Sequence, residues 1–157
     1  ELMYATGVRI SELINLQYAN IDLTRSLIKV MGKGGKERMI PFGENASSWL
    51  TQYIEYRRKN NLSLKSRDFF VSQQGKKMTR QAFWHRVKQY LAISGLSDDV
   101  SPHTLRHAFA THLLNNGADL RSVQMLLGHS DLSTTQIYTH IAKQRLSDMV
   151  KEHHPRG

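Results

Sequence analysis

Four stretches of this sequence hold residues able to do chemistry. Arg9 stands at the start of a helical pattern, one turn before Glu12. Alone it would read as a surface cation paired with that carboxylate. The run Gly32-Lys33-Gly34-Gly35-Lys36 is a tight turn with a lysine at its tip. It lacks the spacing of a nucleotide phosphate loop, yet it would present Lys33 where it can reach a phosphate. In Ser101-Pro102-His103-Thr104-Leu105-Arg106-His107, a Ser cap and a Pro at the first helical position open a helix. His103 and Arg106 then lie one turn apart where free backbone N–H groups and the helix dipole favour an anion. The planar guanidinium of Arg106 suits a phosphate. The fourth stretch is Leu126-Leu127-Gly128-His129, with Tyr138 beyond it. A His past a helix end and a Tyr in a short helix are each ordinary packing features when taken singly.

A metal site is weighed and rejected. His103 and His107 are four apart, but the intervening Glu of a zinc protease motif is missing and the chain has no cysteine. His107 and His112 read as packing residues. No cofactor is expected.

These side chains must be held by a framework, and the sequence outlines one. A helix ends near Thr6-Gly7, and another carries Val8, Ile10, Leu13, Ile14 and Leu16. The segment from Asn20 to Val30 reads as β, and Glu37 to Phe42 returns as a strand after the Gly32–Gly35 turn. Pro41 places that strand at an edge or at its own end. A helix follows from Asn45 to Asn60, with Trp49, Leu50, Tyr53, Ile54 and Arg57 at helical spacing. A short strand is expected at Phe69-Phe70-Val71, then a helix from Thr79 to Ser94 closed by Gly95. The last third reads as helices: Ser101 to Asn116, Asp119 to Leu127, a short one from Ser133 to Tyr138, and Ala142 to Glu152. The fold class is α+β, mainly helical, with a small antiparallel sheet.

Composition narrows the partner. The 157 residues suit one domain. Lys and Arg number 22 against 13 acidic residues, a net charge of +9. That excess favours a polyanion, with nucleic acid ahead of a membrane surface because the basic residues are scattered. No apolar run is long enough to span a bilayer. Lys36, Arg38, Lys76, Lys77, Arg80 and Gln81 are candidate DNA contacts, with Arg80 and Gln81 placed to enter the major groove from a helix start. Binding is expected to weaken steeply with salt. The start, Glu1-Leu2-Met3-Tyr4-Ala5, reads as the tail of a helix already under way, and a fragment of a longer protein is expected.

Taken together, the four stretches resemble the catalytic boxes of the tyrosine recombinases, or phage integrase family. Thr6-Gly7-Val8-Arg9-Ile10-Ser11-Glu12-Leu13 resembles the first box. The run from His103 to Thr111 is similar to the second. Leu126-Leu127-Gly128-His129 with Thr134-Thr135-Gln136-Ile137-Tyr138-Thr139-His140 is similar to the third. Lys33 falls where the family keeps a hairpin lysine. The turn, the Tyr138-Thr139-His140-Ile141 run and the His153-His154-Pro155-Arg156 tail most resemble the bacterial Xer recombinases.

The resemblance implies the catalytic domain of a site-specific recombinase, with a separate N-terminal DNA-binding domain outside this sequence. Tyr138 would be the nucleophile and His103 the proton acceptor or relay. Arg9, Arg106 and His129 would hold the non-bridging phosphate oxygens. Lys33 would be the general acid. Neither ATP nor a metal would be required. The implied partners are a double-stranded recombination site, a second Xer-type recombinase in a heterotetramer and the septal DNA translocase, in the cytoplasm and away from any membrane. The terminal helix, with Leu146, Met149 and Val150, would pack into a neighbouring subunit or onto its own domain. A phage or transposon integrase, a type IB topoisomerase and a non-catalytic DNA-binding module are the alternatives.

Overall fold

The computed structural model describes residues 1–62, 66–97, 99–128 and 140–156. Among these, seven α-helices and three strands appear in the order α1 (Leu2–Thr6), α2 (Ile10–Ile14), β1 (Ile21–Asp22), β2 (Leu27–Met31), β3 (Glu37–Pro41), α3 (Glu44–Lys59), α4 (Arg80–Ile93), α5 (Pro102–Asn115), α6 (Leu120–Leu127) and α7 (His140–His153). The expected mainly helical α+β class is what the chain adopts.

The strands form one antiparallel sheet in the order β1-β2-β3. Ile28 sits opposite Ile40 across the central pair, and both are fully buried. Pro41 closes the edge strand β3, where its missing N–H breaks no ladder. Two expectations need correction. The β segment from Asn20 to Val30 is two strands, because the chain turns between Asp22 and Leu27 and Ser26 adopts a positive φ. Phe69-Phe70-Val71 is no strand: only isolated bridges form, Gln17 with Asp68 and Val71 with Lys77. The aromatic pair packs instead, with Phe69 fully buried. The expected helix from Ser133 to Tyr138 lies outside the described residues.

Helix α5 is the centre of the packing. It touches α1, α6 and α7, and its Phe109 and Leu113 are fully buried. Removing such a side chain from water stabilises the fold by roughly 1.5–3 kcal/mol. Its start is fixed as expected. The Ser101 hydroxyl accepts from the Thr104 N–H, Thr104 answers through its own hydroxyl, and Pro102 takes the first helical position. Asp119 caps α6 by accepting from the Ser122 N–H at 2.9 Å, and Gly128 ends it at φ 68°. Helix α7 packs against β3 and α5 of its own domain, with Leu146 and Val150 buried.

One buried cation holds the back of the domain. Arg57 lies on the Leu50–Tyr53–Ile54 stripe of α3 and is fully buried. Its guanidinium donates to the carbonyls of Leu62, Asp68 and Phe69 and lies 4.7 Å over the Tyr18 ring. It therefore ties the end of α3 to the segment that leads into α4.

Candidate active site

Three helix ends meet at the site: the start of α2, the first turn of α5 and the last turn of α6. Arg9 is the residue before α2, with extended backbone (φ −71°, ψ 149°). Its main-chain N–H donates to Glu12 Oε2 at 2.8 Å, and its Nη1 lies 3.2 Å from Oε1. The ion pair read from the sequence is therefore present, but it does not occupy Arg9 fully. The Arg9 side chain is 42% exposed, whereas that of Glu12 is 4% exposed.

The carboxylate is buried because a second arginine covers it. Arg38 donates from Nη1 to Glu12 Oε1 at 2.7 Å and from Nη2 to Oε2 at 2.9 Å. Its Nε donates to the Leu126 carbonyl at 2.8 Å. Burial alone would raise the Glu12 pKa, but the hydrogen bonds from Arg38 and the Arg9 N–H outweigh it and hold the carboxyl below its ordinary range. Arg38 is thus removed from the candidate DNA contacts. It is 6% exposed, with its charged end turned into the protein.

Arg106 is held differently. Its Nη1 donates to the Gly7 carbonyl and its Nη2 to the Leu127 carbonyl, each at 2.6 Å. Both acceptors are neutral and both lie at helix C-terminal ends. They fix the plane of the guanidinium without cancelling its charge. Burial, with the nearby positive charge of Arg9, pushes the Arg106 pKa down to about 10. It stays protonated at neutral pH. Among the described residues, Glu12 pairs with Arg9 and Arg38, while Arg106 feels its charge without an ion pair to it. Such an uncompensated positive cluster, partly shielded from water, is suited to a phosphate.

His103 lies exposed on the first turn of α5, one turn before Arg106. Lys33 opens a 3-10 turn, Lys33–Gly35, at the tip joining β2 and β3. His129 and Tyr138 lie outside the described residues, His129 next after the Gly128 turn that ends α6. His112 takes the packing role expected of it, since its Nδ1 is 2.7 Å from the Tyr4 hydroxyl. His107 does not: it is exposed, with its Nε2 3.4 Å from Thr111 Oγ1. Among the described residues, no group of three His, Asp or Glu side chains could hold a metal ion.

The remaining candidate contacts divide by position. Lys36 and Lys76 are exposed. Lys77 is exposed but engaged, with its Nζ 2.6 Å from Asn15 Oδ1 and 3.8 Å from Asp68. Arg80 and Gln81 are exposed in the first turn of α4, which Thr79 caps. They line a groove of about 860 Å³ with Ile10, Trp84, His85 and Pro102. Ile10 and Pro102 are the chain neighbours of Arg9 and His103, so the groove opens beside the cationic cluster.

Two residues carry more of the site than the sequence suggested. Glu12 is its hub rather than a surface partner, and Arg38 is its inner brace. The signal for Arg38 was strand alternation. It shares the inward face of β3 with Ile40, while Glu37 is exposed.

The phage integrase family profile matches residues 1–145. Tyrosine recombinase XerD of Proteus mirabilis is 58% identical over the whole chain, which covers 51% of that protein. XerD of Vibrio cholerae is 57% identical, again over the whole chain and 53% of the relative. The chain spans about half the length of the curated relatives it matches. Among solved structures, XerA recombinase superposes with a TM-score of 0.75 at 35% identity, over 99% of this chain and 57% of that one. XerH recombinase bound to its difH substrate before cleavage gives a TM-score of 0.69 at 32% identity, over 94% of this chain and 43% of that one. Among the described residues, no helix is long and apolar enough to cross a membrane.

Proposed function

The chain belongs to the phage integrase family, and from that membership we propose that it cuts and rejoins double-stranded DNA at a specific site through a 3′-phosphotyrosine bond. The observation that carries the reading is the cationic cluster. Arg106 is held by two neutral carbonyls, and Arg9 is half-exposed beside it. Such a pair binds the two non-bridging oxygens of a phosphodiester and stabilises the negative charge that grows as a fifth oxygen approaches phosphorus.

In this reading Tyr138 Oη attacks phosphorus. A free tyrosine has a pKa of about 10, so its proton must be accepted. His103, exposed one turn before Arg106, is the base or relay. His129 adds a hydrogen bond to the phosphate oxygens. The 5′-oxygen leaves with a proton from Lys33. The phosphotyrosine bond conserves the energy of the broken diester, so attack by a new 5′-hydroxyl rejoins the strand without ATP or a metal. Lys36, Lys76, Arg80 and Gln81 hold the flanking duplex.

We further propose that the natural role is that of the XerD relatives: recombination at a chromosomal or plasmid site, with partition of the products at cell division. The partners would be a second Xer-type recombinase in a tetramer and the septal DNA translocase, in the cytoplasm. The 56–58% identity to XerD proteins, against 26% to a mycobacteriophage integrase, favours this over a mobile-element integrase.

A nicked duplex that loses its short 5′ fragment on cleavage traps any covalent intermediate. Built on the sequence selected by binding from a random library, it should give a protein–DNA adduct that resists denaturation. Retention of DNA binding without any adduct would favour a non-catalytic module. Relaxation of supercoils without strand exchange would favour a topoisomerase.

A further inference from the structure

We propose that Arg38 is a positioning residue for the reaction: from inside the domain it sets Arg9 and the end of α6 in register with the Lys33 hairpin. The inference rests on the phosphate-clamp reading above, and it begins with the position of Arg38 in the chain. Arg38 lies on β3, the strand that leaves the Lys33–Gly35 turn. Its side chain crosses to two other elements. The fork of Nη1 and Nη2 grips both oxygens of Glu12, at 2.7 and 2.9 Å. The same two oxygens hold the Arg9 side chain and the Arg9 N–H. The Nε binds the Leu126 carbonyl at 2.8 Å. The brace also packs against the Gly128 turn: a Cβ added at Gly128 would meet the guanidinium carbon of Arg38 at 3.0 Å.

A buried ion pair of this kind is not needed for stability as such. Desolvation offsets most of its Coulomb attraction, and well-packed apolar pairs often serve as well. Geometry gives the pair its use. Arg9 has a long, partly exposed side chain, and a single bond to a mobile carboxylate would leave it many rotamers. Arg38 clamps both carboxylate oxygens, so Arg9 Nη1 and the start of α2 inherit one orientation. Lysine cannot reproduce this. It has no planar fork and cannot bind two oxygens and a third acceptor from fixed directions.

The decisive comparison is Arg38→Met with the double variant Arg38→Met/Glu12→Gln, both in the full chain. The single variant leaves a buried carboxylate without its main partner and is expected to melt at a lower temperature. The double variant removes that charge, so its melting temperature should return most of the way to wild type. Glu12→Gln alone is the reference, because it removes the carboxylate that holds Arg9: if Arg38 were only a structural brace, the double variant would form adduct on the nicked duplex as fast as Glu12→Gln alone. If Arg38 positions Arg9, the double variant is about 100-fold slower than Glu12→Gln alone, the scale of an ångström-sized misplacement. Its DNA affinity should hold within about threefold, since Arg38 is buried and does not line the groove and each phosphate contact is a modest share of binding. Arg38→Lys should fold and fall between. An adduct rate in the folded double variant equal to that of Glu12→Gln alone overturns the proposal.

A second readout does not depend on activity. In the ¹⁵N-labelled chain, the Arg9 Nε–H signal should lose its dispersion and sharpen in Arg38→Met/Glu12→Gln relative to Glu12→Gln alone, while that of Arg106 stays in place. An Arg9 signal unmoved between those two variants overturns the proposal even if the wild-type chain proves inactive. Wild-type inactivity with a shifted Arg9 signal counts against the recombinase reading alone.

Discussion

Gly7→Ala should be among the most damaging single-methyl changes this domain can suffer. Gly7 ends α1 at φ 59°, in the left-handed region. An L residue there is strained by about 1–2 kcal/mol. Space makes it worse. A Cβ at Gly7 would lie inside contact distance of Phe109 Cδ1 and 2.9 Å from its Cγ. Phe109 is fully buried at the centre of α5 and has nowhere to move. Overpacking of this kind costs about 1–3 kcal/mol. The sum is about 2–5 kcal/mol, or roughly 5–15 °C in melting temperature for a chain of this size. Gly34→Ala is the internal control. Gly34 has φ 75° but nothing within 4 Å of a built Cβ, so it should show the backbone strain alone, about 1–2 kcal/mol. Because the Gly7 carbonyl accepts from Arg106 at 2.6 Å, surviving folded protein should also form adduct more slowly. Thermal melts of the two variants decide the matter. If Gly7→Ala is no more destabilising than Gly34→Ala, the crowding against Phe109 does not operate and the argument fails.

Two further outcomes follow from other parts of the domain. Lys33→Ala should slow cleavage of an ordinary strand by about 10²–10⁴-fold, the usual range for a general acid. A substrate with a bridging 5′-sulfur, whose thiolate leaves without a proton, should restore the rate; a defect equal on both substrates would remove Lys33 from that role. His154 is 5% exposed against Tyr4 and Phe109, and burial, with His112 and Arg156 nearby, pushes its pKa down to about 4. The unfolded chain takes up that proton near pH 6.5 and the folded chain only near 4. Stability from this group is therefore complete above about pH 6.5 and declines as pH falls towards 4, by on the order of 3 kcal/mol. Melting of His154→Gln against wild type between those values should show a flatter slope in the variant; parallel slopes would contradict the assignment.

Much of this was legible in the sequence, and the reasons are local. Ser101-Pro102, Asp119 and Gly128 carry their own capping chemistry, so the ends of α5 and α6 could be read from a few residues. The helical spacing of Leu50, Tyr53, Ile54 and Arg57 gave α3, but that the charged Arg57 is its fully buried member was not legible, because its acceptors are carbonyls brought in by the fold. The failures came where partners are distant in the chain. Phe69 and Phe70 have strand-like composition, but among the described residues only isolated bridges flank them, and their rings pack against Tyr53 and each other. The turn inside Asn20–Val30 depends on Ser26 accepting a positive φ, which composition did not signal. The charge of Arg38 groups it in the sequence with the surface lysines and masks its place on the inward face of β3. Its true partners, Glu12 and Leu126, lie 26 and 88 residues away. The phosphate site was visible as residue types, but the sharing of one carboxylate by Arg9 and Arg38, with Arg106 held beside them on two carbonyls, required the folded chain.

The most direct test of the central claim is to find which residue carries the DNA. Adduct trapped on the nicked duplex is digested with protease and nuclease, and the nucleotide-bearing peptide is sequenced by mass spectrometry. The expected result is a single peptide with a 3′-phosphonucleotide on Tyr138, and no adduct from Tyr138→Phe despite DNA affinity close to wild type. A nucleotide on any other residue, or an adduct that survives in Tyr138→Phe, would contradict the account.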